Sequence, residues 1–196
     1  DAPSSVDAAR TSMYAVCWAR APAASANPSR TSLMLRTRNL PGAFVQLSMD
    51  GATVTVQLSD PEHFNTFSAG LGSDMLLAVQ HICALPSAAP VVLQGAGPHF
   101  SVGGNPYATR DSSITTPAGF ARSLRELYDG FVKLRALRQP VACAVHGTLV
   151  GGGIAGCMHA DYIAADAASV LEHGNLVRGV CPLGMLSQTF ATALGA

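Results

Sequence analysis

The sequence predicts one α/β domain built on a mostly parallel β-sheet. Short apolar runs that suit buried strands alternate along the chain with longer stretches whose apolar residues recur every three or four positions, as in helices. An Asp-Gly pair between two alternating runs indicates a β-hairpin near the start of the domain. With 196 residues, the chain is long enough to bury a substantial core as a single domain.

Each predicted element follows from its local pattern. Phe44–Met49 and Thr53–Leu58 alternate on either side of Asp50-Gly51 and form the hairpin. Phe67–Ala84 and Pro117–Arg138 carry apolar stripes at helical spacing. The remaining predicted elements are strands at Val91–Leu93, Val141–Val145 and Tyr162–Ala164, and a helix at Ile154–His159.

The composition excludes several classes of function. Twelve basic residues balance twelve acidic ones, so the composition does not suggest a surface that binds nucleic acid. Mean hydropathy is +0.28, yet no apolar run approaches the roughly 20 residues that span a membrane. The five cysteines form no Cys/His metal-ligand spacing, and their odd number favours a reducing compartment. The apolar excess is therefore expected in a core, a pocket or a subunit interface.

Residues 1–41 differ from the rest of the chain. They are rich in Ala, Ser, Pro and Arg, and they lack clear periodicity. An Arg- and Ser-rich, acid-poor segment resembles part of an organelle transit region, and an interdomain linker fits equally well. A third interpretation is an arm that docks on a partner. The folded domain is expected over residues 42–196, and the compartment stays open between the cytoplasm and an organelle.

Two glycine-rich loops follow predicted strands of the same sheet. They are GPHFSVGGN at Gly97–Asn105 and TLVGGGIAG at Thr148–Gly156. Neither has the Gly-Lys-Ser/Thr of a P-loop, and the triple glycine is not a GxGxxG motif. Ligands gather at the carboxyl ends of parallel strands, where two bare backbone loops can offer N–H groups to one oxygen. The loops therefore favour an oxyanion hole over a phosphate site.

Three segments, in order, resemble the crotonase (enoyl-CoA hydratase/isomerase) superfamily. PEHFNTFS is similar to the family's xNxPxxxNAL segment, VVLQGAGPHFSVGGN to VVLTGxGxxFSAGAD, and QPVACAVHGTLVGGGIAGCMHADYIAA to KPVIAAVxGxAxGGGxxLAxxCDxxxA. The resemblance runs from about Phe44 to Gly195 and implies the ClpP/crotonase fold, a spiral of ββα units. The GGN and NLVRGVCPLGM segments resemble enoyl-CoA hydratase-like members of polyketide β-branching cassettes.

The resemblance implies an acyl-thioester site. In the family, two backbone N–H groups polarise the thioester carbonyl and stabilise an enolate, and by position these belong to Gly104 and Gly152. Coenzyme A or a carrier-protein phosphopantetheine would carry the substrate, with no further cofactor. By the same resemblance we expect Asn65 and Arg178 to contact that carrier, and we expect a homotrimer or a larger hetero-complex.

The chain departs from the family pattern at both catalytic carboxylates. The usual glutamate positions hold Ala155 and Gly174. Glu172 and His173 lie just before the second position, so either could serve as a general acid or base, and an ordinary surface pair is the alternative. The family also continues into C-terminal helices beyond ATALGA, so we expect that region to be truncated. This departure weakens the expectations of a closed pocket and a trimer.

Several other polar residues invite structural rather than catalytic interpretations. His146 is expected to hydrogen-bond the glycine-loop backbone and hold its shape. His159, near the end of a short helix, would favour that helix end as a cation. His99 and Tyr107 flank the first loop, and Tyr107 is more easily explained as a packed aromatic than as an acyl contact.

Two functions follow. The first is an acyl-thioester protein that stabilises an enolate during dehydration, decarboxylation or double-bond isomerisation. The second is a catalytically inactive member of the fold that serves as a structural subunit of a larger complex. The missing glutamates favour the second, whereas the paired glycine loops favour the first.

Overall fold

The computed structural model describes residues 38–39, 44–50, 52–86, 88–105, 113–175, 177, 179 and 181–195. A six-stranded sheet forms its centre, in the order β1-β2-β3-β4-β5-β7. These strands are β1 (Arg38–Asn39), β2 (Val45–Asp50), β3 (Thr53–Leu58), β4 (Val91–Gly95), β5 (Val141–Val145) and β7 (Tyr162–Ala165). Strands β3, β4, β5 and β7 run parallel, and β1, β2 and β3 are antiparallel neighbours. The predicted mostly parallel sheet and its opening hairpin are both present.

Strand β1 lies inside the segment predicted to precede the domain. Arg38 pairs with Leu47, and Asn39 pairs with Gln46. The sheet therefore begins a few residues earlier than the hydrophobic pattern indicated, because backbone pairing at an edge needs no apolar side chains. Residues 1–37 and 40–43 lie outside the described residues.

The helices are α1 (Ala69–Cys83), α2 (Pro117–Val132), α3 (Gly152–Cys157) and α4 (Leu186–Leu194). Ser68 caps α1 by accepting the N–H of Leu71 at 3.2 Å, and Thr116 caps α2 by accepting that of Gly119 at 3.1 Å. Helix α4 was not predicted from the sequence. None of the helices within the described residues is long and apolar enough to cross a membrane.

The predicted helix Pro117–Arg138 ends earlier than its apolar stripe. It tightens into a 3-10 turn at Lys133–Ala136, and Leu137 is already extended, with φ −69° and ψ 141°. Proline at position 140 disfavours helical geometry in the residue before it, so the chain has to leave the helix before Pro140. The stripe still serves the core, since Phe131 and Leu134 are buried.

A second, two-stranded parallel sheet includes Thr148–Val150, which the sequence analysis assigned to the start of the second glycine-rich loop. It pairs β6 (Thr148–Val150) with β8 (Val170–Glu172). Helix α3 accordingly starts at Gly152, two residues before the predicted Ile154, and ends before His159. Three residues are too few for a periodicity to show in the sequence.

Helices α1 and α2 pack closely through glycine. A Cβ on Gly72 would lie 2.5 Å from the carbonyl oxygen of Glu126, and one on Gly130 would lie 2.5 Å from the amide nitrogen of Leu76. The two backbones can approach only because both side chains are absent. This contact fixes α2 over the core and thereby sets the position of its buried tyrosine, Tyr128.

Candidate functional site: two glycine loops and a buried tyrosine

The first glycine loop is shaped by the buried side chain of Asn65. Its Nδ2 donates to the carbonyl oxygens of Ala96 and His99, both at 2.9 Å, and of Phe100 at 3.1 Å. Its Oδ1 accepts the N–H of Asp60 at 2.8 Å. One amide thus satisfies backbone groups on both sides of the turn that follows β4.

This position corrects the expectation that Asn65 contacts a coenzyme. The residue is 0% exposed, and both hydrogens of its amide are used by backbone carbonyls. Its backbone is left-handed, with φ 53°, a conformation that asparagine tolerates better than most residues. Asn65 therefore positions the loop and offers no donor to a ligand. Arg178, the other expected coenzyme contact, lies outside the described residues, as does Tyr107.

Ser101 joins the first loop to the segment around Asn65. Its Oγ donates to the carbonyl oxygen of Asn65 at 2.7 Å and accepts the N–H of Gly103 at 3.1 Å. Phe67 then donates its N–H to the carbonyl oxygen of Gly103 at 2.8 Å. This parallel bridge uses the carbonyl on one side of Gly104 and leaves the Gly104 N–H facing away from Phe67.

The second glycine loop turns sharply from β6 into α3. Gly151 adopts φ 43° and ψ −100°, which a residue with a side chain rarely adopts. Its N–H donates to the carbonyl oxygen of Glu172 at 2.9 Å, and its carbonyl accepts the N–H of Ala155 at 3.1 Å. Gly152 is the first residue of the helix, so its N–H has no acceptor within the helix.

The two loops meet backbone to backbone. A Cβ on Gly103 would overlap the carbonyl oxygen of Val150 and lie 2.9 Å from the amide nitrogen of Gly152. A Cβ on Gly152 would lie 3.3 Å from the amide nitrogen of Gly104. Within the described residues, neither the Gly104 nor the Gly152 N–H has a hydrogen-bond acceptor. Gly104 is exposed and Gly152 half-buried, so both donors are open to a ligand.

Tyr128 of α2 lies beside the contact between the two loops. Its hydroxyl oxygen would lie 2.5 Å from a Cβ on Gly152. The residue is 8% exposed, and burial raises the pKa of its hydroxyl to about 12. The sequence does not single out Tyr128, because its spacing places it within an apolar stripe typical of core packing. Its spacing was available as a signal, since Tyr128 follows Leu124 by four residues and precedes Phe131 by three.

The two vacated glutamate positions are buried. Ala155 is 0% exposed within α3, and Gly174 lies in a buried turn after β8. Neither supplies an acid or a base. Glu172 and His173 have exposed side chains; the His173 ring meets the ring of Phe190 edge-on at 5.6 Å. Glu172 touches the site through its backbone, by accepting the N–H of Gly151.

His146 contacts the first loop, not the glycine loop directly after it that the sequence predicts. Its Nε2 donates to the carbonyl oxygen of Gly97 at 2.9 Å, which ties the end of β5 to the turn after β4. His99 serves the same junction, because its Nδ1 accepts the N–H of Thr148 at 3.0 Å. These contacts set the spacing of the two loops.

His159 is structural, but the expectation that it acts as a cation is wrong. Its Nε2 donates to the carbonyl oxygen of Gly184 at 2.9 Å, and burial lowers its pKa to about 4, so the ring is neutral near pH 7. Its Nδ1 is buried with no partner among the described residues. Across all of the residues that the structure describes, no cluster of three His, Cys, Asp or Glu side chains could hold a metal ion.

Comparisons with known sequences point to one family. The model for "Enoyl-CoA hydratase/isomerase" matches residues 49–196. "Probable enoyl-CoA hydratase EchA12" of Mycobacterium tuberculosis is 28% identical over 146 residues, which cover 72% of this chain and 51% of that protein. A peroxisomal "Delta(3,5)-Delta(2,4)-dienoyl-CoA isomerase" of Arabidopsis thaliana is 22% identical over 119 residues, covering 56% of this chain and 43% of that protein. The chain thus spans about half the length of these curated relatives.

Solved structures agree on the fold. An enoyl-CoA hydratase from Polaromonas sp. JS666 superposes with a TM-score of 0.68 at 25% identity, over 76% of this chain and 58% of that one. A Thermobifida fusca YX protein of the same type, solved in complex with acetoacetyl-CoA, has a TM-score of 0.65 at 23% identity and covers 79% of this chain and 63% of its own. With the family model matching most of the chain, this protein belongs to the enoyl-CoA hydratase/isomerase (crotonase) superfamily.

Proposed function

We propose that this chain binds an acyl thioester of coenzyme A or of a carrier protein and stabilises its enolate through the N–H groups of Gly104 and Gly152. The observation that carries the proposal is the pair of unpartnered backbone donors on loops that touch. A donor of this kind is worth about 2.7–4 kcal/mol in the transition state, because it meets the oxygen where negative charge develops.

Because the family's two catalytic carboxylates are absent, fewer of its reactions are open to this chain. Adding or removing water requires a general base, and the family positions that would supply one hold Ala155 and Gly174. Decarboxylation of a thioester whose carboxylate is β to the carbonyl, or in the vinylogous position as in glutaconyl-CoA, generates the enolate or dienolate directly as carbon dioxide leaves, so it needs the oxyanion hole but no base. We therefore place decarboxylation ahead of dehydration and isomerisation. Glu172 and His173 stay candidates for the acid that returns a proton to carbon.

The first test is binding and turnover. Calorimetric titration with butyryl-CoA is expected to show binding, and glutaconyl-CoA is expected to turn over faster than 3-hydroxybutyryl-CoA. Absence of binding with thioester at about 1 mM, an affinity weaker than roughly 4 kcal/mol, would overturn the proposal.

A matched pair of variants tests the location of the site. Gly152→Ala places a methyl group between the Tyr128 hydroxyl and the Gly104 amide, so thioester affinity and turnover should fall. Gly119→Ala makes the same change in the first turn of α2, where the new Cβ would lie 3.1 Å from Thr116 Oγ1. It should bind like the unmodified chain. Equal affinity in all three proteins would place the ligand elsewhere.

The second candidate function is a structural subunit of a larger complex, without catalysis. It is favoured by apolar side chains exposed along β7, β8 and the segment beyond. Tyr162 is 74% exposed, Leu171 56% and Val177 85%. Such side chains are typical of a surface that a partner covers, including a further copy of the chain in a homotrimer. Stable binding to a larger assembly, together with no turnover of any thioester tested, would favour this function over the first.

A further inference from the structure

Three potential hydrogen-bond donors surround one point beside Gly152. The Cβ position of Gly152 lies 2.5 Å from the Tyr128 hydroxyl oxygen and 3.3 Å from the Gly104 amide nitrogen. By covalent geometry it also lies about 2.5 Å from the amide nitrogen of Gly152 itself. In a helix both the N–H and the Cβ direction incline toward the N-terminus. An oxygen that accepts the Gly152 N–H lies on this same side of the backbone, so the Gly104 amide and the Tyr128 hydroxyl border the space that it would occupy.

The hydroxyl is held there by packing of its ring. Phe67 contacts the Tyr128 ring edge-on, with centroids 5.4 Å apart and an interplanar angle of 62°. On another side lies Gly184, whose Cβ would be only 2.6 Å from Cδ1 of the tyrosine. Phe67 is itself stacked on Phe131 at 4.4 Å. Such a ring has little freedom to leave, so the hydroxyl is positioned before any ligand binds.

The hydroxyl has no hydrogen-bond partner among the described residues. The hydroxyl oxygen is not sealed from solvent, although the ring is buried. A buried tyrosine usually bonds its hydroxyl to a neighbour. Because burial raises the pKa of this hydroxyl to about 12, it remains protonated and can only donate to an anionic oxygen near neutral pH.

We propose that the Tyr128 hydroxyl is a third hydrogen-bond donor to the thioester oxygen held by Gly104 and Gly152, an inference that rests on the proposed function. The proton stays on the phenol throughout, and no covalent bond forms or breaks at the tyrosine. The hydrogen bond strengthens as the carbonyl oxygen becomes an enolate oxygen, since donation to an ionised acceptor is about twice as strong as donation to a neutral one.

The test measures enolate on the protein rather than turnover. Acetoacetyl-CoA is titrated into the full 196-residue chain at fixed pH, and the bound enolate is quantified by its ultraviolet absorbance. Tyr128→Phe keeps the ring and removes the donor, so the bound enolate-to-keto ratio is expected to fall roughly 10-fold, the value of one hydrogen bond to a charged group. Tyr162→Phe makes the same change on the exposed edge strand and should match the unmodified chain.

The outcomes separate the two proposals. If the unmodified chain binds acetoacetyl-CoA without raising its enolate fraction above that in solution, the oxyanion hole is wrong, and the role of Tyr128 falls with it. If the unmodified chain raises the enolate fraction and Tyr128→Phe raises it equally, only the third donor is wrong. If Tyr128→Phe does not fold, site-specific 3-fluorotyrosine, a stronger donor, is used at the same position; it should increase the enolate fraction, and an unchanged fraction would overturn the inference.

Discussion

His159 should make the folded chain sensitive to mild acid. The pKa of its ring falls from 6.5 to about 4, chiefly because of burial, and Arg135 contributes in the same direction. A pKa lowered on folding means that the unfolded chain binds the proton more tightly. Stability is therefore complete above pH 6.5 and declines as pH falls from 6.5 toward 4.

The size of the stability loss follows from the change in the pKa of His159 on folding. The fall from 6.5 to about 4 corresponds to roughly 3 kcal/mol when the titration is complete. Between about pH 7.5 and about pH 5, the loss attributable to His159 is roughly 2 kcal/mol, because most of the unfolded imidazole is protonated by then. That is a large fraction of the 5–15 kcal/mol that typically stabilises a domain.

Urea denaturation at several pH values measures this loss. His159→Gln removes the titrating ring, so its stability should fall less steeply with acid than that of the unmodified chain. The difference between the two curves isolates His159, since all other groups titrate in both proteins. His63 shows why the difference is needed: its hydrogen bond to Asp60, at 2.8 Å, raises its pKa and opposes the acid effect. Parallel curves, or an NMR titration that places the His159 pKa near 6.5, would refute the reasoning.

Three further substitutions test how the loops are held. Asn65→Ala leaves several buried carbonyls without a donor and should cost about 3 kcal/mol or more in a denaturant titration. Gly103→Ala has to adopt φ 77° and overlap the carbonyl oxygen of Val150, so its free energy of unfolding should fall by roughly 2–4 kcal/mol in the same assay. Ala155→Glu buries a carboxylate in α3 and should lower the melting temperature by more than 10 °C, as expected for a loss of several kcal/mol.

Each of these changes has a matched control. Asn65→Gly also removes the amide but relieves the left-handed backbone, so it should cost about 1 kcal/mol less than Asn65→Ala. Gly179→Ala shares a positive φ of 61° with no atom near the new Cβ, so it should show only the backbone cost of about 1–2 kcal/mol. Ala165→Glu adds the same charge on an exposed strand and should be nearly neutral. If a control substitution lowers stability as much as the test substitution it is matched with, the contact assigned to the test residue is wrong.

The parallel sheet was predictable because its strands obey a simple pattern. Val91–Gly95 and Val141–Val145 are apolar runs bounded by proline or glycine, and both alternate buried and half-buried residues in the structure. The meeting of the two glycine-rich loops was predictable from the order of the strands, whereas the choice of Gly104 and Gly152 within them came from the family resemblance. Parallel strands bring their carboxyl ends to the same edge, and loops that leave there have to meet.

The rest of the site depends on contacts between residues far apart in sequence. Asn65 bonds to carbonyls more than thirty positions away, and nothing in its own segment distinguishes that role from ligand contact. Tyr128 lies on a helix that looks like core packing, and only the fold places its hydroxyl beside Gly152. Strands β6 and β8 are three residues each, too short for a pattern to show, and they pair with one another from separate parts of the chain.

The glycines of the two loops fall into two groups. Gly103 and Gly151 are required by the fold, because each has a positive φ and a neighbour that a Cβ would strike. Gly104 and Gly152 differ from them, since neither has a positive φ; a Cβ on Gly104 would meet nothing within 4 Å, whereas one on Gly152 would lie 2.5 Å from the Tyr128 hydroxyl oxygen. Packing would accept a larger residue at Gly104, and its backbone N–H would stay available to a ligand oxygen, whereas a Cβ on Gly152 would press on the Tyr128 hydroxyl. The absence of a side chain at Gly152 thus keeps open the space between the Tyr128 hydroxyl and the Gly104 amide, as the proposed thioester site requires.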